Sequence, residues 1–455
     1  MHDPQATVPA SPDQALASSG SDIRRAFPLR SIHPLRETLH HEVHARPTEP
    51  MTAPMLLSHI ALVDADPAAV REHLCTLLTN RHLPVPGAQD SHIISNIGGT
   101  CLRWEQHTEF HTYTFWRPQT QEAEAMPIAT VSNDWLAGLP GQCLLGLHVR
   151  VLKAGDAPDS AAADAIAASA RQWLHEETLV GAHVLGKSAR VYTDLRLHAD
   201  GFGRWVIVVR EMSDLQLGRL VQCILEIETY RMMALLGLPV AREVGRTLAS
   251  AERDLAEVAE RIRNAETHNE PELLRQLTRL AAEVEGMYAR THARFSASQA
   301  YFEIVRQRIE ELREERQGTL QMLREFMEKR LHPAVQTCAW AARRQQALSE
   351  RITRVSSLLR TRVEIEQQVS SQQLLSAMNS RQKAQFLLQA AVEGLSVAAV
   401  TYYSVGLVAY VAKGAQALGV PVNPEVAAAI AIPLIAAAVW LGIRRLHHRV
   451  QAEVD

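Results

Sequence analysis

Polar positions almost vanish twice near the C-terminus, from Leu387 to Ala412 and from Val426 to Ile443. A helix rises about 1.5 Å per residue and needs roughly 20 apolar residues to cross a hydrocarbon layer of about 30 Å. Each stretch therefore predicts a membrane span, and the two together predict a hairpin. The first holds one carboxylate, Glu393, and the second holds no charge. Upstream, Leu348, Ile352, Val355, Leu359 and Val363 step by four, three, four and four, which is the spacing of a helix-pairing seam. No proline or glycine falls between Pro333 and Gly394, so one helix is expected to run from that seam into the first span.

The first half of the chain has a different rhythm. MLLSHIALV, CLRWEQH, EFHTYTFWR, LLGLHVRVLKA, RVYTDLRLH and RWVIVVRE read as strands, and the Ala-rich DSAAADAIAASARQWLHEE reads as a helix. Asp200-Gly201 supplies the positive φ angles of a hairpin turn. After Ser213, an expected N-cap, strand signals stop. Leu217, Leu220, Val221, Ile224 and Ile227 then mark one helix face, and breaks are expected at Gly237-Leu238-Pro239, near Pro271 and at Leu331-His332-Pro333. The predicted fold class is an α+β (or α/β) cytosolic domain, a long helical stalk and a C-terminal two-helix transmembrane hairpin. The expected divisions are a disordered tail over 1–27, the mixed domain over 28–211, a coiled-coil-like stalk over 212–386, the hairpin over 387–443 and a basic tail over 444–455.

Charge orients this layout. Arg381 and Lys383 precede the first span, Arg444, Arg445 and Arg449 follow the second, and the connecting loop carries only Lys413. The positive-inside rule then places both termini in the cytoplasm. The N-terminal segment lacks the apolar core of a signal peptide, and Arg24-Arg25 is not followed by one. A net charge of -3 over 455 residues, with 5% aromatics, argues against a nucleic-acid binder. Five scattered cysteines show no short metal or redox pairing and suit a reducing compartment.

Several motifs carry possible chemistry. Gly181 to Ser188, GAHVLGKS, matches the phosphate-loop pattern, but a strand rather than a helix is expected after it, so it reads as a loop into a hairpin. Glu37, His40, His41 and His44 fall on one side of a short helix whose other side carries Ile32, Leu35, Leu39 and Val43. Glu37, His40 and His44 are weak metal candidates there, against the ordinary alternative of a solvated polar face. Glu393, with Ser396 and Tyr403 on its side of the helix, is an intramembrane polar candidate. Gly394, Gly406 and the Ala-rich second span permit close helix contact.

Three ordered stretches point further. His33-Pro34-Leu35-Arg36 with Glu42-Val43-His44-Ala45-Arg46-Pro47, then Glu226-Ile227-Glu228-Thr229-Tyr230-Arg231-Met232, and finally Val392-Glu393-Gly394-Leu395-Ser396-Val397-Ala398 leading to Tyr402-Tyr403 resemble the bacterial membrane-anchored family called domain of unknown function 3422. The resemblance implies a bacterial inner-membrane protein with a cytosolic body and supplies no activity. It marks Glu42, His44, Arg46, Glu228 and Arg231 as polar motif residues, with Arg46 a candidate partner for Glu226 or Glu228. A looser likeness of layout to CorA-type magnesium channels lacks their Gly-Met-Asn filter, since the corresponding region reads Ala412-Lys413-Gly414-Ala415-Gln416.

The leading expectation is a non-enzymatic, self-associating scaffold in the lipid bilayer that presents its cytosolic domain to an unknown partner, with no cofactor and no nucleic acid. The alternative is an oligomeric CorA-like divalent cation channel or transporter with Glu393 and Tyr403 near its pathway. An enzyme using Glu42, His44 and Arg46 comes third, because no nucleophile can be located.

Overall fold

The structure, a computed structural model, describes residues 33, 35–36, 39–40, 48–120, 125–154, 168, 172–264, 270–418, 421 and 423–452. They fall into two compact units, one drawn from Met1–Asp254 and Leu280–Glu350, the other from Leu255–Arg279 and Arg351–Asp455.

The first unit is built on a nine-stranded mixed sheet. Its strands are β1 (Met55–Val63), β2 (His92–Ile97), β3 (Thr100–Gln106), β4 (Phe110–Pro118), β5 (Gln142–Lys153), β6 (Val180–Val184), β7 (Ala189–Thr193), β8 (Gly203–Val209) and β9 (Glu315–Arg316), in spatial order β2-β3-β4-β1-β5-β8-β7-β6-β9. All pairings between strands are antiparallel except β5 with β8. The predicted strands are present, and the α+β class holds. Helix α1 (Pro67–Asn80) is capped by the Asp66 carboxylate, which accepts from the Ala68 and Ala69 amides. It buries Val70, Leu74, Leu77 and Leu78 against one sheet face beside Leu102, Trp104, Tyr113 and Phe115. A short helix α2 (Asn133–Ala137) lies on the same side, where Trp135 stacks on His73 and meets Tyr113 edge-on.

The opposite face is covered by α3 (Asp214–Leu235). Ser213 and Gln216 close a capping box at its start, as the expected N-cap required. The face predicted from periodicity, Leu217, Leu220, Val221, Ile224 and Ile227, packs on Leu57, Leu147, Val149, Trp205 and Ile207. Gly218 lets the chain cross close by, because a Cβ there would sit 1.9 Å from the Glu49 carbonyl oxygen. The segment is tied down by the Met51 amide donating to the Asp214 carbonyl. Helices α5 (Glu270–Leu312) and α6 (Leu323–Ala417) return to the same core through Val305, Ile309, Leu312, Leu323, Met327 and Val335.

Two expectations change. The phosphate-loop match forms β6 and its turn: Leu185, Gly186 and Lys187 all have positive φ, and β7 follows at once, so no helix N-terminus faces the loop. A short 3-10 turn and strand stand where a helical lead-in was expected. The break expected at Gly237-Leu238-Pro239 is present: α3 ends at Leu235 and α4 (Gly237–Asn264) begins two residues later, with Pro239 in its first turn, where a missing N–H has no carbonyl to serve. Pro333 sits inside α6, which runs through it, and the Thr337 hydroxyl donates to its carbonyl at 2.9 Å. The Ala-rich helix expected before His175 and the tail over 1–27 lie mostly or wholly outside the described residues.

The second unit contains the apolar ends of α6 and α7 (Pro424–Ala452). Both are long and apolar enough to span a membrane, and in both the apolar window is almost wholly unburied, 6% and 0%. Asn423 caps α7 through its side chain, which accepts from the Glu425 amide. Arg362 joins the helical segments of this unit: its guanidinium reaches the Ile262 carbonyl at 2.8 Å and the Glu270 carboxylate at 3.2 Å. Of the seam residues, Leu348, Ile352 and Leu359 are buried and Val355 and Val363 half-buried within a single copy. That seam is occupied by the chain's own packing.

Candidate functional site

Alternation along a strand normally puts apolar side chains inward and polar ones outward. On β1, β3 and β4 both faces are covered, so the polar half of the alternation is trapped. Cross-strand register aligns His59 with Thr114 and Thr114 with Arg103, and pairs Glu105 with Thr112. All five are buried, although Arg103 and Glu105 are types that rarely are. A cleft of about 260 Å³ opens between this polar patch and α3 and α5, lined by His59, Arg103, Thr112, Glu226, Tyr230 and Arg308 among others.

His59 is the centre of the patch. Its Nδ1 lies 2.8 Å from the Thr114 hydroxyl and its Nε2 3.1 Å from that of Thr229, on α3. Burial, reinforced by Arg103 and His107, lowers its pKa from 6.5 to about 3. It is a neutral imidazole held between two hydroxyls and a weak base.

Two ion pairs frame it. Arg103 Nε lies 3.3 Å from Glu105 Oε2, at a distance that qualifies as an ion pair but without hydrogen-bond alignment. Glu226 accepts from Gln222 at 2.9 Å and from Arg308, which also grips both oxygens of Glu311 at 2.8 and 2.9 Å. The Thr112 hydroxyl, on a residue 3% exposed, has no hydrogen-bond partner among the described residues. A misaligned guanidinium N–H and an unpaired hydroxyl beside a cleft are donors suited to a ligand's acceptor atoms. The Cys223 thiol near the α3 end of the site is inert, since burial, then Glu226 and Glu311, pushes its pKa up to about 12.

Glu228 sits one helical step away with 2% exposure. Trp205 Nε1 donates to its Oε1 at 3.2 Å, and Arg231 donates to Oε2 at 2.5 Å. These predicted motif residues therefore fasten α3 to β8. Thr229 and Tyr230, from the same motif, face His59 and the cleft. Tyr230 also stacks on Tyr301, whose hydroxyl donates to Glu109 at 3.0 Å.

The N-terminal candidates Glu37, Glu42, His44 and Arg46 lie outside the described residues; His40 is exposed with helical backbone. Glu226 is partnered by Arg308 and Gln222, while Thr48, two residues after Arg46, bonds Gln222 at 3.1 Å. In the second unit Glu393 is half-buried and accepts from Gln389 at 3.3 Å, Ser396 donates to the Val392 carbonyl at 2.8 Å, and Tyr403 is 74% exposed and meets Tyr402 edge-on. These three do not converge on one point. Sequence reasoning missed His59, Arg103, Glu105 and Thr112, which alternate with core residues and read as the wet face of ordinary strands.

The chain belongs to the family described as Protein of unknown function (DUF3422), whose model matches residues 31–450. Neither a search of curated proteins nor one of solved structures returned a match. The likeness of layout to CorA-type channels gains no support from these comparisons.

Proposed function

We propose that this protein is a bacterial inner-membrane protein with both termini in the cytoplasm, which self-associates and presents its α+β domain to a cytosolic ligand or partner. The observation that carries the reading is the exposure of the two apolar windows in α6 and α7, which only a bilayer or another apolar surface can cover. Self-association is supported by a gap of about 860 Å³ beside the spans, lined by Gly394, Ala398, Gly406 and Ala436 with larger apolar neighbours. Small residues let a second helix approach closely. Between the buried seam and the first span, Ile365, Leu374, Leu375 and Met378 are also exposed, at 56% to 66%, along a stretch rich in Gln and Ser.

The polar cleft is the part of the domain we assign to recognition. Arg103 and Thr112 offer donors to a small ligand bearing an acceptor group, such as a carboxylate or phosphate, while neutral His59 fixes the wall behind them. The test of the membrane reading is the detergent-corrected mass of the full-length protein by light scattering, with cross-linking in native membranes. A defined oligomer in both supports it. A monomer in both removes self-association, and recovery in the soluble fraction without detergent removes the anchor.

A further inference from the structure

Away from the cleft, three metal-ligating side chains meet where β7 ends. Asp194 follows its last residue, His198 lies four positions on in the loop to β8, and His175 comes from the 3-10 turn before β6. One ligand atom from each lies within 4.8 Å of the other two. The imidazole rings are nearly parallel, 4.7 Å between centroids and 13° between planes. Asp194 is held fast: its side chain is wholly buried, Oδ2 accepts from the His175 amide at 3.0 Å, and Oδ1 accepts from the Arg196 amide at 3.2 Å. His198 Nε2 lies 2.8 Å from Oδ2. A buried carboxylate is costly unless a cation meets it, and here backbone amides and one imidazole are what the structure provides. Arg204, the nearby guanidinium, is taken up by Asp200 at 3.2 Å and by the Trp173 carbonyl at 3.1 Å.

We propose that His175, Asp194 and His198 form a binding site for a divalent transition-metal ion of the zinc class. Two imidazoles and one carboxylate match that preference, whereas calcium and magnesium favour all-oxygen sets. With metal–nitrogen bonds of about 2.0–2.1 Å, tetrahedral ligand atoms stand about 3.3 Å apart. From at most 4.8 Å, closure asks for a shift of no more than about 1.5 Å. His175 is exposed and can supply it by turning its side chain, while its backbone amide keeps Asp194 in place. His198 turns a nitrogen lone pair to the ion and keeps its ring proton on the other nitrogen. Three protein ligands leave a fourth position open, the arrangement in which a bound water becomes acidic.

The test uses the full-length protein in detergent, stripped with a chelator and titrated with Co²⁺, whose visible absorption reports four-coordinate binding, and then with Zn²⁺ in competition. One ion per chain is expected, with His175→Ala weakening it roughly tenfold or more and His40→Ala leaving it unchanged. His175→Ala retains the backbone bond to Asp194, so its far-UV circular dichroism should match the parent; His198→Ala gives a second reading. Absence of stoichiometric binding overturns the proposal. So does binding unchanged in both the His175→Ala and His198→Ala proteins, or binding abolished by His40→Ala alone.

Discussion

Replacing His59 with leucine removes a group whose protonation is suppressed by folding, and the effect should appear in the pH dependence of stability. In the folded chain its pKa is about 3, against 6.5 for the free side chain. The unfolded chain therefore binds more protons between these values, so the stability His59 contributes is complete above pH 6.5 and is lost as pH falls towards 3. Between pH 7 and 5 linkage gives a loss of about 2 kcal/mol from this one residue. His148, lowered to about 4 chiefly by burial, against an opposing pull from Asp200 and with Arg204 and Arg150 assisting, adds a loss of similar size that the substitution leaves in place. At pH 7 the leucine protein is itself weaker, because the Thr114 and Thr229 hydroxyls lose a partner at about 1–3 kcal/mol each. Urea unfolding of the full-length protein in detergent, followed by the fluorescence of buried Trp104 and Trp205, measures both quantities. The leucine protein should start lower and decline less, by about 2 kcal/mol, between pH 7 and 5. Equal declines in the two proteins would falsify the assignment of a buried neutral imidazole at this position.

Two further substitutions probe α3. Glu228→Ala strands Trp205 Nε1 and Arg231 and should cost about 3–5 kcal/mol by the same unfolding assay, while Glu228→Gln keeps an acceptor for Trp205 and should cost clearly less; equal losses would refute a stabilising role for the Trp205 hydrogen bond. Gly218→Ala should destabilise by about 1–3 kcal/mol, since the clash with Glu49 outweighs a helix-propensity gain of about 1 kcal/mol. Amide exchange at Met51 should speed up with it, and a stabilised protein would refute the close approach.

Much of this architecture was legible because it depends on neighbours in sequence. The two helices long and apolar enough to cross a membrane follow from unbroken apolar runs, α3 from its periodicity and Ser213, and the β7–β8 hairpin from Asp200-Gly201. The cleft depends instead on α5 and α6 returning over the sheet. Arg103 and Glu105 alternate with Leu102 and Trp104 as on any strand with one wet face, and nothing local reveals that Arg308, far along the chain, lines the same cleft. Leu348, Ile352 and Leu359 of the predicted helix-pairing seam are buried within a single copy, and periodicity alone cannot say which surface fills such a seam. Pro333 was misread because a proline removes one hydrogen bond, a loss that a long packed helix absorbs. His175 stands far from Asp194 and His198 in sequence and meets them through the loops flanking the β6–β7 hairpin.

The two residues of β9 have a consequence for the order of events during synthesis. This strand closes the β6 edge of the sheet only after α5 has been made, and the core on the α3 face is completed by residues as late as Leu331 and Val335. Until then the core between α3 and the sheet lacks the side chains that α5 and α6 add to it, and those contacts span long sequence separations that form slowly. The first of the two helix windows apolar enough to cross a membrane follows further along α6. Completion of the domain core and covering of the two exposed apolar helices therefore compete in time, and a delay in either leaves an adhesive surface exposed to whatever holds the nascent chain.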